Sequence, residues 1–570
     1  MTLSDLIVKY LEQCGVEYVF GVPGSPLGPL FDALARSERR GGPKMILTRH
    51  ESGAAFMADG YARESGKIGV CCSTTGPGAT NLITGVASAH AERVPLLAIT
   101  SQTRLPNLSF GCFQDSSRDG ADILGMFDHC TAYNSMVTHP NQLERKLAAA
   151  LTTALGVPGG ATHLSIPVDI FGAESPNPLS FKGLSNLLNA PDASVDNAAF
   201  DQLIEELEKT LDSGGMIVIL AGYNAIGAGD EITRFAELTD SCIITTPRGK
   251  SAINPYHPLA RGVFGCSGHS SAREALAAKD IRLILAVGSN LGEWATSGWD
   301  PVLINDRLIH IDDDQKNFRR SPMARLHLRG AIKSVFKRLV SHMEKSGRPG
   351  NVSGISSKPM SPDKNYLPSG ITTLKPELCV PSEKGCLIKA PQVYRELIRR
   401  FPAETRFFID NSNSVPWCIH YFFHERPEAL LFSIEFASMA WAVGASVGGA
   451  LANRQAPSVC IAGDGCYLMS SQEITVAVEH CLPVVFVVLN DHGYGLIRHG
   501  HRIRGSEPVS FDISEVDFAM MARAAGAQGF TIRDAADLEN IDWCDIMTRR
   551  GPTLLDVRID PEESPPLAMA

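Results

Sequence analysis

None of the 14 cysteines in this 570-residue chain forms a C-x-x-C pair, and no His/Cys group has metal-ligand spacing. This argues against a disulfide framework and a zinc-type site, so the cysteines read as buried or free thiols in a reducing compartment. No apolar run approaches the roughly 20 residues needed to span a bilayer, so no membrane partner is expected. Nor is there a basic stripe. A formal net charge of −10 and a pI near 5.9 argue against a nucleic-acid partner. The N-terminal residues Met1, Thr2, Leu3, Ser4 and Asp5 lack a basic stretch followed by an apolar one, so no secretory signal is expected. Together these absences predict a cytoplasmic globular protein.

What is present is alternation. The chain is too long for one core, and three domains are the natural division. In 1–180, Leu6, Ile7, Tyr10 and Leu11 have helical spacing. The runs at 18–21, 44–48, 67–72 and 95–100 read as strands, with 163–169 closing the sheet. Residues 172–195 are rich in Pro, Ser and Asn and read as a linker. A second block, 196–345, has strand patterns at 216–220, 241–245, 281–286 and 307–311. Residues 346–386 lack periodicity and read as a second linker. A third block, 387–570, has a strand pattern at 406–410 and finishes with 552–557 as an edge or closing strand. Strands alternating with helical patterns predict an α/β fold with three doubly wound parallel-sheet domains. Their similar sizes suggest a duplicated architecture.

The most informative residues stand at two strand ends. Gly463, Asp464 and Gly465 follow the apolar run 458–462. Asn490, Asp491, His492 and Gly493 follow the run 483–489, with a helix expected between them over 470–479. Strand C-termini are where open parallel sheets place ligands. Asp464 and Asp491 lie 27 residues apart, on strands that could be neighbours. Two hard oxygen ligands suit Mg²⁺, which completes its octahedron with phosphate and water. The glycines let backbone approach a diphosphate. Two loop-tip aspartates, each capping a helix, would leave the same residues in place.

This stretch resembles the thiamine diphosphate (ThDP) binding motif of ThDP-dependent enzymes, and nearly the whole chain is similar to acetolactate synthase-like members. The resemblance implies that Asp464, Asp491 and the main-chain carbonyl of Gly493 bind Mg²⁺. It also implies that Gly463, Gly465, Cys466, Tyr494, Gly495, Asn413 and Ser414 surround the cofactor, with Met439 holding it bent. Arg49, His50 and Glu51, the small residues from Ser52 to Ala62, and the turn from Thr75 to Asn81 resemble the pyrimidine-binding domain of that family. Read alone, Glu51 is a first-turn carboxylate favoured by its helix dipole. The resemblance makes it the acid that hydrogen-bonds N1′ of the aminopyrimidine, with Pro77 and Asn81 beside the cofactor. Phe113 and Gln114 fall in a segment similar to one that faces substrate, so with Glu51 they are the candidate catalytic residues. The domains are then pyrimidine-binding, central and diphosphate-binding. In the family, the acid and the diphosphate site come from different subunits, which implies an obligate homodimer; homotetramers are common.

Departures from the family pattern shape the functional expectation. Pyruvate decarboxylase-like enzymes place two adjacent histidines near Phe113, and benzoylformate decarboxylase-like enzymes carry one at the position of Thr74; neither feature is present here. Without these proton donors, C–C bond formation is favoured over aldehyde release. The expectation is a ThDP- and Mg²⁺-dependent carboligase. It would decarboxylate a 2-oxo acid such as pyruvate and transfer the acyl unit to a second carbonyl. The alternatives are a 2-oxo acid decarboxylase releasing aldehyde, or transfer to a non-pyruvate acceptor. Most relatives have Asn where this chain has Asp491. Those of branched-chain amino-acid synthesis have Trp where it has Gly500, so the acceptor pocket differs. For FAD the signals conflict. Residues 287–294 lack the flavin-type Arg-Phe-Asp-Asp-Arg segment, whereas the loop from Gly262 to Gly265 is similar to a flavin-side loop.

Overall fold

The computed structural model describes residues 1–175, 194–347, 366–380 and 385–567. Most of the first expected linker, much of the second and the last residues of the tail lie outside this set. Three six-stranded sheets, with every strand pairing parallel, account for the three blocks. The first sheet comprises β1 (Tyr18–Gly21), β2 (Lys44–Leu47), β3 (Gly69–Ser73), β4 (Leu96–Gln102), β5 (Tyr133–Met136) and β6 (Ala161–Pro167), in the order β2-β1-β3-β4-β6-β5. The second has β7 (Met216–Ala221), β8 (Cys242–Thr245), β9 (Ala260–Val263), β10 (Ile281–Val287), β11 (Leu308–Asp312) and β12 (Leu326–Arg329), in the order β12-β11-β10-β7-β8-β9. The third has β13 (Arg406–Ile409), β14 (Leu430–Phe432), β15 (Ser458–Gly463), β16 (Val484–Asn490), β17 (Gln528–Ile532) and β18 (Thr553–Arg558), in the order β14-β13-β15-β16-β18-β17. The first and third sheets therefore share one strand order and the middle sheet has another. The duplication suggested by block size holds for the outer pair alone.

The central strands of all three sheets are legible in the sequence. The strands it did not show, β5, β9, β12, β14 and β17, all lie at sheet edges. β5 and β17 are mostly half-buried, so their side chains need not be apolar and no buried run marks them. Two assignments change. Residues 552–557 form β18, which is not an edge strand but lies between β16 and β17. Likewise β6 does not close its sheet, because β5 pairs outside it. The helix expected over 470–479 begins earlier. β15 runs directly into a helix at Asp464–Ser470, a 3₁₀ turn at Ser471–Glu473 breaks it, and Ile474–Glu479 completes it. Of the second expected linker, 366–380 packs on the third domain, with Tyr366, Ile371 and Cys379 in its core.

The outer domains meet through two helices of small residues. Glu51–Ser65 presents Gly53, Ala54, Gly60 and their neighbours, and Trp441–Ala452 presents Gly444, Ala445 and Gly448. A methyl group on Gly60 would strike the Ala445 carbonyl, and one on Gly448 would strike that of Met57. Both helices are almost wholly buried, and a single apolar core runs from Phe56 and Tyr61 across to Trp441 and Val443. All fourteen cysteines are free thiols, and no described helix is long and apolar enough to cross a membrane.

This packing predicts opposite outcomes for two glycine replacements. Gly448→Ala forces backbone apart and should cost about 2 kcal/mol or more. Gly500→Ala, with no atom within 4 Å of the new methyl, should be neutral or stabilise its helix by up to about 1 kcal/mol. Thermal unfolding midpoints measure both. Equal shifts for the two variants would contradict the close-packing account.

Candidate active site

The first sheet delivers one group of candidate residues to the C-terminal ends of β2, β3 and β4. Glu51 opens the helix that follows β2 and is 9% exposed; its Oε2 accepts a hydrogen bond from Asn81 Nδ2 at 3.0 Å. Beyond β3 the chain turns at Gly76, whose φ of 66° suits glycine. Gly78 then passes so close that a Cβ there would lie 3.2 Å from Glu51 Oε1. Ser116 receives the Gly76 N–H at 2.7 Å, and Thr75 Oγ1 donates to the Gln114 carbonyl at 3.0 Å. Gln114 is thus brought against the Glu51 turn, in a left-handed conformation with φ 56°. Pro77 and Asn81 lie on the exposed face of their helix. Phe113 is 90% exposed and nearby Phe110 81%.

The third sheet delivers the second group. β15 and β16 are adjacent, with Gly463 opposite Leu489, so Asp464 and Asp491 leave neighbouring strands. They are 3% and 4% exposed. Asp464 Oδ1 accepts the Gly465 N–H at 2.7 Å and Oδ2 the Gly493 N–H at 2.9 Å. Asp491 Oδ2 accepts from Asn413 Nδ2 at 2.9 Å. A cavity of about 70 Å³ at the ends of β13, β15 and β16 is lined by these residues together with Ser412, Met439, Gly463, Cys466, Tyr494 and Gly495. It lies at the switch point of the strand order, between β13 and β15. Two glycines set its shape. A Cβ on Gly465 would lie 2.7 Å from the Tyr494 ring, and one on Gly495 would overlap Asp491 Oδ2. Ser414 does not line this cavity. It is fully buried and its hydroxyl donates to the Asp410 carbonyl at 2.6 Å, while Ser412 faces the space.

The electrostatics of this cavity suit a cation. Burial, then repulsion from Asp491, pushes the Asp464 carboxyl up to about 7. Burial also raises Asp491, against the opposing pull of Arg498. Asn413 Oδ1 is buried with no hydrogen-bond partner. Among the described residues no three His, Cys, Asp or Glu side chains cluster as a closed metal cage. Two carboxylates alone leave positions free for phosphate oxygens and water, as Mg²⁺ prefers. The donor set and the glycine-lined cradle therefore fit a magnesium-bound diphosphate.

Three positioning residues had no motif to reveal them. Asp410, fully buried, accepts the N–H groups of Ala440 and Ala442 at 2.9 and 2.8 Å. It thereby fixes Ala440 at φ 69° and presents Met439 to the cavity. Glu473 reaches from the third domain to accept the N–H of His50 at 2.9 Å and of Arg49 at 3.2 Å, holding the start of the Glu51 helix. Arg498 lies 3.2 Å from Asp491 Oδ2. Asp410 and Glu473 stand outside the strand-end motifs, and only three-dimensional contact connects them to the site.

The two groups do not share a cavity. Glu51, Asn81, Phe113 and Gln114 are absent from the lining around Asp464, which is drawn entirely from the third domain. A separate cleft of about 470 Å³ opens at the switch point between β7 and β10 of the middle sheet. Arg93, Arg248, Lys316, Arg319 and Arg320 outnumber Asp314 and Glu435 in its walls. That charge balance suits a phosphorylated ligand.

Glu473 gives a pH prediction. Burial pushes its carboxyl up to about 7, outweighing the two backbone N–H groups that favour the ionised form. A folded-state value above the ordinary 4.5 means its contribution to stability is full below that pH and is lost as pH rises through about 7. Glu473→Gln should flatten the fall in unfolding midpoint between pH 4.5 and about 7. An unchanged profile would contradict the assignment.

Comparison with known proteins places these sites in context. The chain matches the thiamine pyrophosphate enzyme N-terminal TPP binding domain over residues 1–126, the central domain over 204–339 and the C-terminal TPP binding domain over 410–557. It is similar to the acetolactate synthase isozyme 2 large subunit of Escherichia coli, 29% identical over 569 residues, covering 99% of this chain and 96% of that protein. It is also similar to the acetolactate synthase of Arthrospira platensis, 28% identical over 581 residues, covering 99% and 95%. Among solved structures, a thiamine diphosphate-dependent 4-hydroxybenzoylformate decarboxylase from Rhodococcus jostii shares the fold. Its TM-score is 0.79 and its identity 21%, covering 98% of this chain and 99% of that one.

Proposed function

The chain belongs to the family of thiamine pyrophosphate enzymes, and from that premise we propose an acetolactate synthase-like carboligase that requires Mg²⁺. It decarboxylates a 2-oxo acid such as pyruvate and transfers the acyl unit to a second carbonyl. The observation that carries this reading is the surroundings of Glu51. Asn81, Thr74 and the Gln114 turn stand there, and no histidine occupies the decarboxylase positions.

Bound ThDP supplies an electron sink for the carbanion left when a 2-oxo acid loses CO₂. The protein's part is placement and proton control. Asp464, Asp491 and the Gly493 carbonyl would hold Mg²⁺ beside the diphosphate. Gly463, Gly465, Cys466, Gly495 and Tyr494 shape the surrounding wall, and Asn413 offers its unpartnered Oδ1 there. Met439 supports the middle of the cofactor. Glu51 holds a proton at the pyrimidine N1′, and Asn81 Nδ2 fixes the carboxyl that does so. Pro77 borders the pyrimidine. Phe113 and Gln114 face substrate, where an amide orients a carbonyl without donating a proton readily.

Since Glu51 and the Asp464 cavity lie apart in one chain, the active unit in this reading is a homodimer. The Glu51 face of one subunit then meets the Asp464 cavity of its partner. The exposed Phe110 and Phe113, at the edge of the Glu51 group, support such a cover. The domain limits 1–180, 196–345 and 387–570 and a cytoplasmic location belong to the same proposal. The basic cleft of the middle domain would hold the phosphates of a dinucleotide such as FAD. Visible absorbance in the flavin band of the purified protein tests this, and a colourless protein would remove FAD.

Incubation with pyruvate, ThDP and Mg²⁺, followed by NMR of the products, tests the reaction. A branched hydroxy-oxo acid is expected, whereas free aldehyde as the sole product would establish the decarboxylase reading instead. Glu51→Gln should lower kcat about 100-fold or more. Full activity in that variant would overturn the role given to Glu51.

A further inference from the structure

We propose that Arg498 is a positioning residue whose guanidinium supplies the counter-charge that allows an aspartate, in place of a neutral amide, at position 491 of the metal loop. This rests on the magnesium–diphosphate reading above. A loop with one carboxylate and a divalent cation presents one net positive charge to the diphosphate. A second carboxylate cancels it, and a fixed guanidinium restores it.

The geometry fits that task. Arg498 Nη2 lies 3.2 Å from Asp491 Oδ2 and donates to the main-chain carbonyl of the same residue at 3.0 Å. One nitrogen thus grips both the side chain and the backbone of Asp491. Nη1 donates to Asp512 Oδ1 at 3.0 Å, anchoring the other arm of the fork outside the metal loop. The Arg498 side chain is largely buried, so solvent screens the pair only weakly. The approach depends on Gly495, one turn earlier on the Gly495–Ile503 helix. Any side chain there would collide with Asp491, and the helix bearing Arg498 could not come so near. The planar fork matters as well. A lysine offers a point charge and cannot hold Asp491 and Asp512 together in this way.

A double-mutant cycle on the full-length protein stripped of cofactor tests the assignment. ThDP is titrated in the presence of saturating Mg²⁺ by calorimetry, with the thermal midpoint of each cofactor-free variant recorded alongside. Arg498→Met should weaken ThDP binding about tenfold or more when Asp491 is present, a cost of at least about 1.4 kcal/mol. In the Asp491→Asn background the same substitution should cost less than about threefold. Arg498→Lys, which keeps the charge and a similar length, should fall between wild type and Arg498→Met and remains informative if the methionine variant folds poorly. In the cofactor-free state, Arg498→Met should lower the thermal midpoint, and adding Asp491→Asn should restore part of it. Equal losses of ThDP affinity in both backgrounds would reduce Arg498 to a structural contact and overturn the proposal, as would no loss at all. If the wild-type protein binds neither Mg²⁺ nor ThDP, the cofactor-site reading falls, and the role of Arg498 falls with it.

Discussion

The packing of Glu51–Ser65 against Trp441–Ala452 is the constraint on which the rest depends. Two helices approach this closely only when both contact faces lack side-chain bulk, and here Gly60 meets Ala445 and Gly448 meets Met57 backbone to backbone. The contact joins the first and third sheets into one apolar core. It also fixes where Glu51 begins its helix relative to the strand ends bearing Asp464 and Asp491. Small residues give each helix little apolar surface of its own, so the association relies on close fit and on the large rings of Trp441, Tyr61 and Phe56 around it.

Buried charge ties the third party, the middle domain, to this pair. Arg63, on the Glu51 helix, contacts Asp59 at 2.6 Å, and Asp59 also accepts the Trp441 indole N–H at 3.1 Å. Glu92, fully buried, pairs with Arg248 of the middle domain, whose guanidinium lies 3.8 Å above the ring of Tyr223 and reaches Glu435 at 3.6 Å. Charges so far from water are costly unless matched, so each pairing penalises an arrangement of domains that would break it. The same principle governs the candidate site in the opposite sense. There, two buried carboxylates, Asp464 and Asp491, face the single guanidinium of Arg498, an imbalance that a bound cation would relieve.

Much of the fold was legible because a strand buried on both faces writes an unbroken apolar run. β4 over 96–99, β10 over 283–287 and β16 over 484–489 are of this kind. The edge strands β5 and β17 are half-buried along most of their length and left no such run, and with them went the order of the sheets. At the site, Gly463, Asp464 and Asp491 were visible because they end two apolar strand runs, and Gly495 through the family resemblance. Asp410 and Glu473 were not visible. One holds the Met439 turn and the other the Arg49 and His50 backbone, through contacts between residues distant in sequence. Ser414 shows the reverse case: its position in the chain suggested a ligand contact, yet its hydroxyl is spent on its own loop.

The sequence by itself determined the α/β class, the buried central strands and the residue types at the strand ends, because periodicity and turn chemistry are local properties. Only the tertiary structure decided the rest. It decided that β15 and β16 are neighbours, that Ser412 and not Ser414 faces the cavity, that Arg498 folds back onto Asp491, and that Glu51 stands outside the cavity of its own chain. Each of these depends on which surfaces meet, and that is set by packing and charge matching summed over the whole molecule, which no local stretch of residues encodes.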